Sequence, residues 1–237
     1  MLDVSDVTVR FGGVTPLANV TLHFEQRICG LVGPNGAGKT TLLNVLSGFV
    51  SPAAGAVRCD GTDLLRMAPD RRARWGLRRT FQSEQIVGDL TVAENVAVAR
   101  EHTASMDRLS VSIAEALELV GLAERATDRA ALLTTVQRRL LEIARAIVGT
   151  PRLVLLDEPG AGLSDVETTQ LVQIIQDIET RTEALVILID HDMDLVRATC
   201  SSVSVLDFGK VIAHGPTDQV LADSAVRRAY LGAEDVE

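Results

Sequence analysis

The chain reads as an α/β fold with a parallel-sheet core, an N-terminal antiparallel β part and an inserted α-helical subdomain. Three observations predict it. First, ICGLV (28–32), LVLLD (153–157), LVILID (185–190) and VSVLDF (203–208) are short apolar runs without polar alternation, as expected of parallel strands covered on both faces by helices. Second, residues 1–27 and GAVRCDGTDLL (55–65) read as strands with turns, which predicts an antiparallel sheet. Third, between about residues 83 and 150 there is no comparable strand run, while helix-start signals precede apolar-periodic segments.

The bulk numbers fit one large domain. A chain of 237 residues with 46% apolar content buries a substantial core. It divides into an α/β core at about 1–82 and 151–237 and a helical subdomain at 83–150. A net charge of −9 argues against a general nucleic-acid grip, which rests on neutralising many phosphates with Lys and Arg, so no nucleic-acid partner is expected. The opening MLDVSDVTVR has no basic segment leading into an apolar run, so a secretory signal is not expected and a cytoplasmic location is. LVLL (153–156) and ALVILI (184–189) are far shorter than the roughly 20 residues that cross a bilayer, so membrane contact is expected through a partner. Cys29, Cys59 and Cys200 are scattered among apolar neighbours and read as reduced packing residues.

Taken in order, the strand ICGLV runs directly into GPNGAGKTT (33–41) and the helix TLLNVLSG, the context that G-x-x-x-x-G-K-[ST] requires. Gly33, Gly36 and Gly38, with Pro34, Asn35 and Ala37 between them, let successive backbone N–H groups surround an anion at a helix N-terminus. Lys39 can then reach the β- and γ-phosphates, and the Thr40 hydroxyl is suited to Mg²⁺. RRARWGLRRT (71–80) places five arginines around Trp75, read first as a solvated helix face and second as a docking surface. Thr91 to Glu94 and Ser112 to Glu115 fit capping boxes, and Gly121 is a helix stop. LTTVQRRLLEIAR (133–145) is an amphipathic helix in which Leu140, Leu141, Ile143 and Ala144 face the core. Its polar positions are Arg138, Arg139, Glu142 and Arg145, and Thr134 with Gln137 forms another capping box.

Two further strand ends carry chemistry. LVLLD closes on Asp157, suited to hold Mg²⁺ through water, and Glu158, suited to polarise a water for in-line attack on a γ-phosphate. LVILIDHD presents His191, which beside a nucleotide can contact the γ-phosphate and the attacking water, and Gln82 in RRTFQ suits a γ-phosphate sensor. The final GAEDVE is expected to fray.

The ordered set GPNGAGKTT, RRTFQ, LTTVQRRLLEIARAI, LVLLDEPGAGLS and LIDHD resembles the ATP-binding subunits of ABC transporters over almost the whole chain. The resemblance implies a P-loop NTPase (RecA-like) core, ATP and Mg²⁺ as cofactors, and ATP hydrolysis coupled to transport. By position, Lys39, Thr40 and Thr41 match Walker A, Gln82 the Q-loop that also meets the metal, Asp157 Walker B, Glu158 the catalytic glutamate and His191 the switch histidine. Phe11 in VRFGG matches the aromatic that stacks on adenine, although a core position in the first strand is the alternative. VRFGG, GLRRTFQ, TVAENVAVA, HDMDLV, VLDFGKVIAHG and RRAYLG look like the ATPases of branched-chain amino-acid importers, a pattern shared with urea and amide importers. Permease subunits on the inner face of the membrane and, indirectly, a solute-binding protein are the implied partners. A non-transport ABC ATPase and a P-loop kinase are the competing classes; inorganic phosphate release against phosphate on an acceptor separates ATPase from kinase.

The resemblance further implies that two subunits close on two ATP molecules, each lying between Walker A of one chain and the signature helix of the other. Here LTTVQ stands where the family has LSGGQ: Thr134 keeps a hydroxyl, but Thr135 and Val136 replace glycines, while Gln137 is retained. If the family backbone needs positive φ there, Val136 costs about 1–3 kcal/mol. An asymmetric heterodimer with a second ABC ATPase subunit is therefore expected, a relaxed loop and a homodimer being the alternative.

Overall fold

The computed structural model describes residues 1–81, 85–100 and 110–231. In chain order the elements are β1 (Leu2–Phe11), β2 (Val14–Phe24), β3 (Ile28–Val32), α1 (Lys39–Ser47), β4 (Ala54–Cys59), β5 (Thr62–Asp63), α2 (Pro69–Trp75) and β6 (Leu77–Arg79). They continue with α3 (Val92–Arg100), α4 (Ile113–Leu119), α5 (Thr135–Ile147), β7 (Leu153–Asp157), α6 (Asp165–Thr182) and β8 (Leu185–Ile189). The last are α7 (Met193–Thr199), β9 (Ser202–Asp207), β10 (Lys210–Pro216), α8 (Thr217–Ala222) and α9 (Ser224–Leu231). The chain forms two compact units, one of Met1–Arg72 with the chain from Ile187 onward and the other of Ala73–Val186.

In the first unit the N-terminal strands form the expected antiparallel sheet, ordered β2-β1-β4-β5. Leu2, Val4, Leu22, Phe24 and Val57 alternate inward and are buried, which is what fixes the register. In the other sheet of this unit β3 runs parallel to β9, and β10 adds antiparallel to β9. Every residue of β3 is buried, as its unbroken apolar sequence requires. The β9–β10 turn has Phe208 at φ 44° and Gly209 at φ 74°, the paired positive values of a tight hairpin.

In the second unit β6 pairs parallel with β7, bringing Arg79 opposite Leu155. The three capping boxes expected of the helical region all form: Glu94 N–H donates to Thr91 Oγ1 (3.1 Å), Glu115 N–H to Ser112 Oγ (3.2 Å) and Gln137 N–H to Thr134 Oγ1 (3.2 Å). Gly121 takes φ 71° just after α4, and its N–H donates to Glu118 O at 3.0 Å, a C-terminal stop.

Three expectations are corrected. The arginine cluster is not a solvated helix face, because it breaks at Gly76 into α2 and β6 and turns three side chains inward. Arg72 donates to Val45 O, Leu46 O and Met67 O, and Arg79 is paired with Asp157. Arg78 donates to Ala73 O and Leu77 O, and its burial pulls the guanidinium down to about 10. Trp75 packs under the Arg152 guanidinium at 5.4 Å. Second, Glu142 lies on the buried side of α5 and accepts a hydrogen bond from Gln85 N–H at 2.7 Å, so polarity misassigned its face. Third, neither Thr135 nor Val136 has positive φ; both lie inside the first turn of α5, and the strain inferred for Val136 does not arise.

The three cysteines are buried and form no disulfide among the described residues, with the thiols of Cys29 and Cys200 pushed up by burial, Cys200 to about 12. Among the described residues no helix is long and apolar enough to cross a membrane.

Candidate functional site

In the first unit the phosphate loop is shaped by close backbone approaches. Gly33 sits at φ 151°, and a Cβ there would lie 2.1 Å from Leu206 O of the neighbouring strand β9. Gly38 sits at φ 106°, and its Cβ would lie 2.5 Å from Pro16 O. Both positions exclude side chains, so the loop can lie tight against β2 and β9. Hydrogen bonds brace it further: Ala37 N–H donates to Pro34 O at 3.1 Å, Gly209 N–H to Ala37 O at 3.0 Å and Ala18 N–H to Gly209 O at 2.9 Å. Gly36 and Asn35 are exposed at the tip.

The loop opens α1 with Gly38 as N-cap, which has no side chain to cap the first turn. That turn, from Lys39 through Thr40 and Thr41, carries the positive end of the helix dipole and N–H groups suited to an anion. Lys39 Nζ lies over the same loop and donates to Gly33 O and Pro34 O. The exposed Thr40 hydroxyl is an oxygen donor of the kind magnesium takes. At the other end of α1 the buried Arg72 guanidinium donates to Val45 O at 2.5 Å and Leu46 O at 2.6 Å, complementing the negative end of the dipole. Burial lowers its pKa, opposed by the charge of Asp63.

Phe11 ends β1 and is 55% exposed, which removes the core alternative and leaves an aromatic face for a planar ligand. His191 follows β8 with its side chain 68% exposed and Nδ1 3.7 Å from Asp190 Oδ1. Asp190 is buried and accepts from His191 N–H at 2.8 Å and Asp192 N–H at 3.1 Å, while Asp192 caps α7. The two aspartates thus build the turn, and the histidine between them is presented to its surroundings. Sequence reasoning missed this division of labour, although the acid-His-acid spacing carried the signal.

In the second unit Asp157 is buried at the carboxyl end of β7. Its N–H donates to Thr80 Oγ1 at 3.0 Å, and its Oδ2 accepts from Arg79 Nη2 at 3.1 Å, whereas its buried Oδ1 has no hydrogen-bond partner among the described residues. An unpartnered buried carboxylate oxygen fits a ligand to metal-bound water, so the donor chemistry of Asp157 and of Thr40 agrees with Mg²⁺. Arg79 was also missed: its signal was the strand pairing of β6, hidden by an arginine-rich sequence that reads as helix.

Glu158, the next residue, stands at φ 51°, a left-handed conformation that costs a non-glycine residue about 1–2 kcal/mol. Asp157 and Glu158 line a cavity of about 230 Å³ together with Thr80, Phe81, Arg139 and Glu142. Arg139 donates to Pro159 O and Ala161 O, fastening α5 to the segment after the two acids. Gln82 lies outside the described residues.

At the start of α5, Thr134 and Thr135 are exposed and Val136 is half-buried. Thr134 N–H donates to Gln137 Oε1 at 3.1 Å, and the same oxygen accepts from Arg125 Nη1 at 2.8 Å. The Gln137 side chain is therefore held at two points within its own unit.

A family profile described as "ABC transporter" matches residues 17–161, more than half of the chain. A second, described as "Branched-chain amino acid ATP-binding cassette transporter", matches residues 210–236. The chain is 36% identical to the high-affinity branched-chain amino acid transport ATP-binding protein BraF of Pseudomonas aeruginosa, over 98% of each chain. It is also 36% identical, over 98% of each, to LivG of Escherichia coli, which carries the same description. Among solved structures, the ADP conformation of an ATP-binding cassette of an ABC transporter matches with TM-score 0.85 and 25% identity, over 98% of each chain. A nucleotide-free ATP-binding cassette matches with TM-score 0.83 and 26% identity, over 98% of this chain and 99% of that one. The glycine loop, the strand-end acids and these similarities agree, and the chain belongs to the ABC transporter family of ATP-binding cassettes.

Proposed function

We propose that the chain is the ATP-hydrolysing subunit of an importer for branched-chain or other hydrophobic amino acids, docked on permease subunits at the inner face of the membrane and served by a solute-binding protein. The observation that carries the reading is the Gly33–Thr41 loop, braced by β2 and β9 and opening a helix whose first turn has no side-chain cap. The near full-length similarity to BraF and LivG supports the choice of solute class.

In this reading Phe11 stacks on adenine, the N–H groups of Gly33 and of residues 35–41 hold the phosphates with Lys39, and Thr40, Gln82 and, through water, Asp157 would hold Mg²⁺. The metal supplies charge neutralisation on the phosphates. Glu158 orients the attacking water, and His191 assists at the γ-phosphate. The left-handed backbone at Glu158 is the strain expected where a side chain is aimed by the fold.

The signature segment favours a heterodimer with a second ABC ATPase subunit. Thr135 and Val136 place Cβ atoms and methyl groups where glycines leave bare backbone, and Gln137 N–H is already satisfied by Thr134. Product analysis tests the chemistry: inorganic phosphate release from Mg²⁺-ATP is expected, and phosphate on a second substrate would overturn the ATPase reading.

A further inference from the structure

The arginine pair that closes β6 was singled out by sequence, and the ATPase reading leaves it without a role. Arg79 and Asp157 form a buried ion pair, their side chains 5% and 2% exposed, with Nη2 to Oδ2 at 3.1 Å. The Arg79 guanidinium also lies over the Phe81 ring, 5.0 Å from its centre. The parallel pairing of Arg79 with Leu155, the Thr80 N–H bond to Leu155 O at 3.0 Å and the Asp157 N–H bond to Thr80 Oγ1 fix both partners to one backbone ladder. The pair is therefore built into β6 and β7 and is not a chance meeting of long side chains.

A carboxylate this deeply buried needs a cation, and Arg79 supplies it without a metal. Among the described residues only one of its oxygens has a partner, which leaves Oδ1 to a hydrated metal. We propose that Arg79 is the resident counter-ion of Asp157: by neutralising the carboxylate it keeps the chain from holding a divalent cation alone, so that the metal enters and leaves with the nucleotide's phosphates. Arg79 is then a positioning residue, acting through Asp157. The inference rests on the assignment of Asp157 to the metal in the proposed function.

The test is Mn²⁺ binding by the full chain without nucleotide, read from loss of the free-Mn²⁺ electron paramagnetic resonance signal. Arg79→Gln should bind Mn²⁺ about tenfold or more tightly than the unsubstituted chain, because a positive charge next to the ligand is gone. Arg79→Lys, which keeps the charge, should stay weak. Combining Arg79→Gln with Asp157→Asn should abolish the gain, and removing both charges also avoids a lone buried ion. An unchanged affinity in Arg79→Gln, or a gain that survives Asp157→Asn, would overturn the proposal. Should Arg79→Gln fail to fold, Asp157→Asn alone decides: nucleotide-free Mn²⁺ binding should not change, and a loss of tight binding would contradict the counter-ion role. Mn²⁺-ATP binding by the unsubstituted chain, measured alongside, reports separately on the ATP-binding reading.

Discussion

Two helix N-termini in this chain, those of α1 and α5, follow opposite designs. The first is opened by Gly38 in a left-handed conformation and has no side-chain cap, so its N–H groups and dipole are available to an external anion. The second is opened by Thr134 in an extended conformation, and Thr134 and Gln137 cap each other. Arg125 then fixes Gln137 by a third hydrogen bond. A helix end that satisfies itself has less to offer a phosphate than one that depends on a ligand. In a family where both ends are expected to meet nucleotide, that difference predicts a strong and a weak half of the machinery in the same chain.

The largest effect should come from spoiling the open end. Gly38→Ala places a Cβ 2.5 Å from Pro16 O at φ 106°, so the loop must shift. ATP affinity is expected to fall at least about a hundredfold, as a cost of roughly 3 kcal/mol in loop geometry implies. Isothermal calorimetry with ATP checks this; retained affinity would show that the tight loop is not what holds phosphate.

Next in size is the chemical step. Glu158→Gln should lower kcat by about 10²- to 10⁴-fold while leaving ATP affinity within a few-fold, because an oriented base acts on the transition state. A parallel loss of affinity would instead assign Glu158 to ground-state binding. Glu158→Gly should be equally inactive yet more stable by about 0.5–1 kcal/mol, since glycine relieves the φ of 51° at some cost in unfolded-chain entropy. Thermal melting measures it, and a lower Tm would mean that the left-handed backbone is not strained.

The smallest effect concerns the helical region that carries the self-capped end. The Arg181 guanidinium beside Glu115, with help from Ser112, holds that carboxyl down at about 2. A carboxyl depressed from 4.5 to about 2 stabilises the fold above the unfolded value, and that contribution is lost as pH falls through this window. Because both side chains are about a third or more exposed, solvent screening limits the effect to under about 1 kcal/mol. Arg181→Gln should lower stability at neutral pH by that amount, leave it unchanged below about pH 2 and so flatten the acid limb between, which chemical denaturation across that pH range measures; an unaltered acid limb would contradict the pairing.

The same contrast explains what was legible in the sequence. The strands at 28–32, 153–157 and 185–189 were visible because full burial demands unbroken apolar runs, and the capping boxes because their residues act on their own helix turn. The phosphate loop was visible because backbone contact admits only glycine at Gly33 and Gly38. What stayed hidden depends on tertiary pairing. Leu77–Arg79 is a strand because β7 accepts it, and no local pattern in RRARWGLRRT says so. Glu142 reads as a surface residue because nothing local shows that the Gln85 backbone N–H meets it, and Val136 reads as strained only while a glycine backbone is imposed on it.

The most direct test of the difference between the two helix ends is the solution mass of Glu158→Gln, purified alone, with and without Mg²⁺-ATP. Blocked hydrolysis should trap any closed dimer. The expected result is a chain that binds ATP and stays monomeric, and that becomes dimeric when Thr135→Gly and Val136→Gly are added. A shift to dimer with LTTVQ intact would contradict the asymmetry, because the self-capped end of α5 would then be serving a partner's nucleotide.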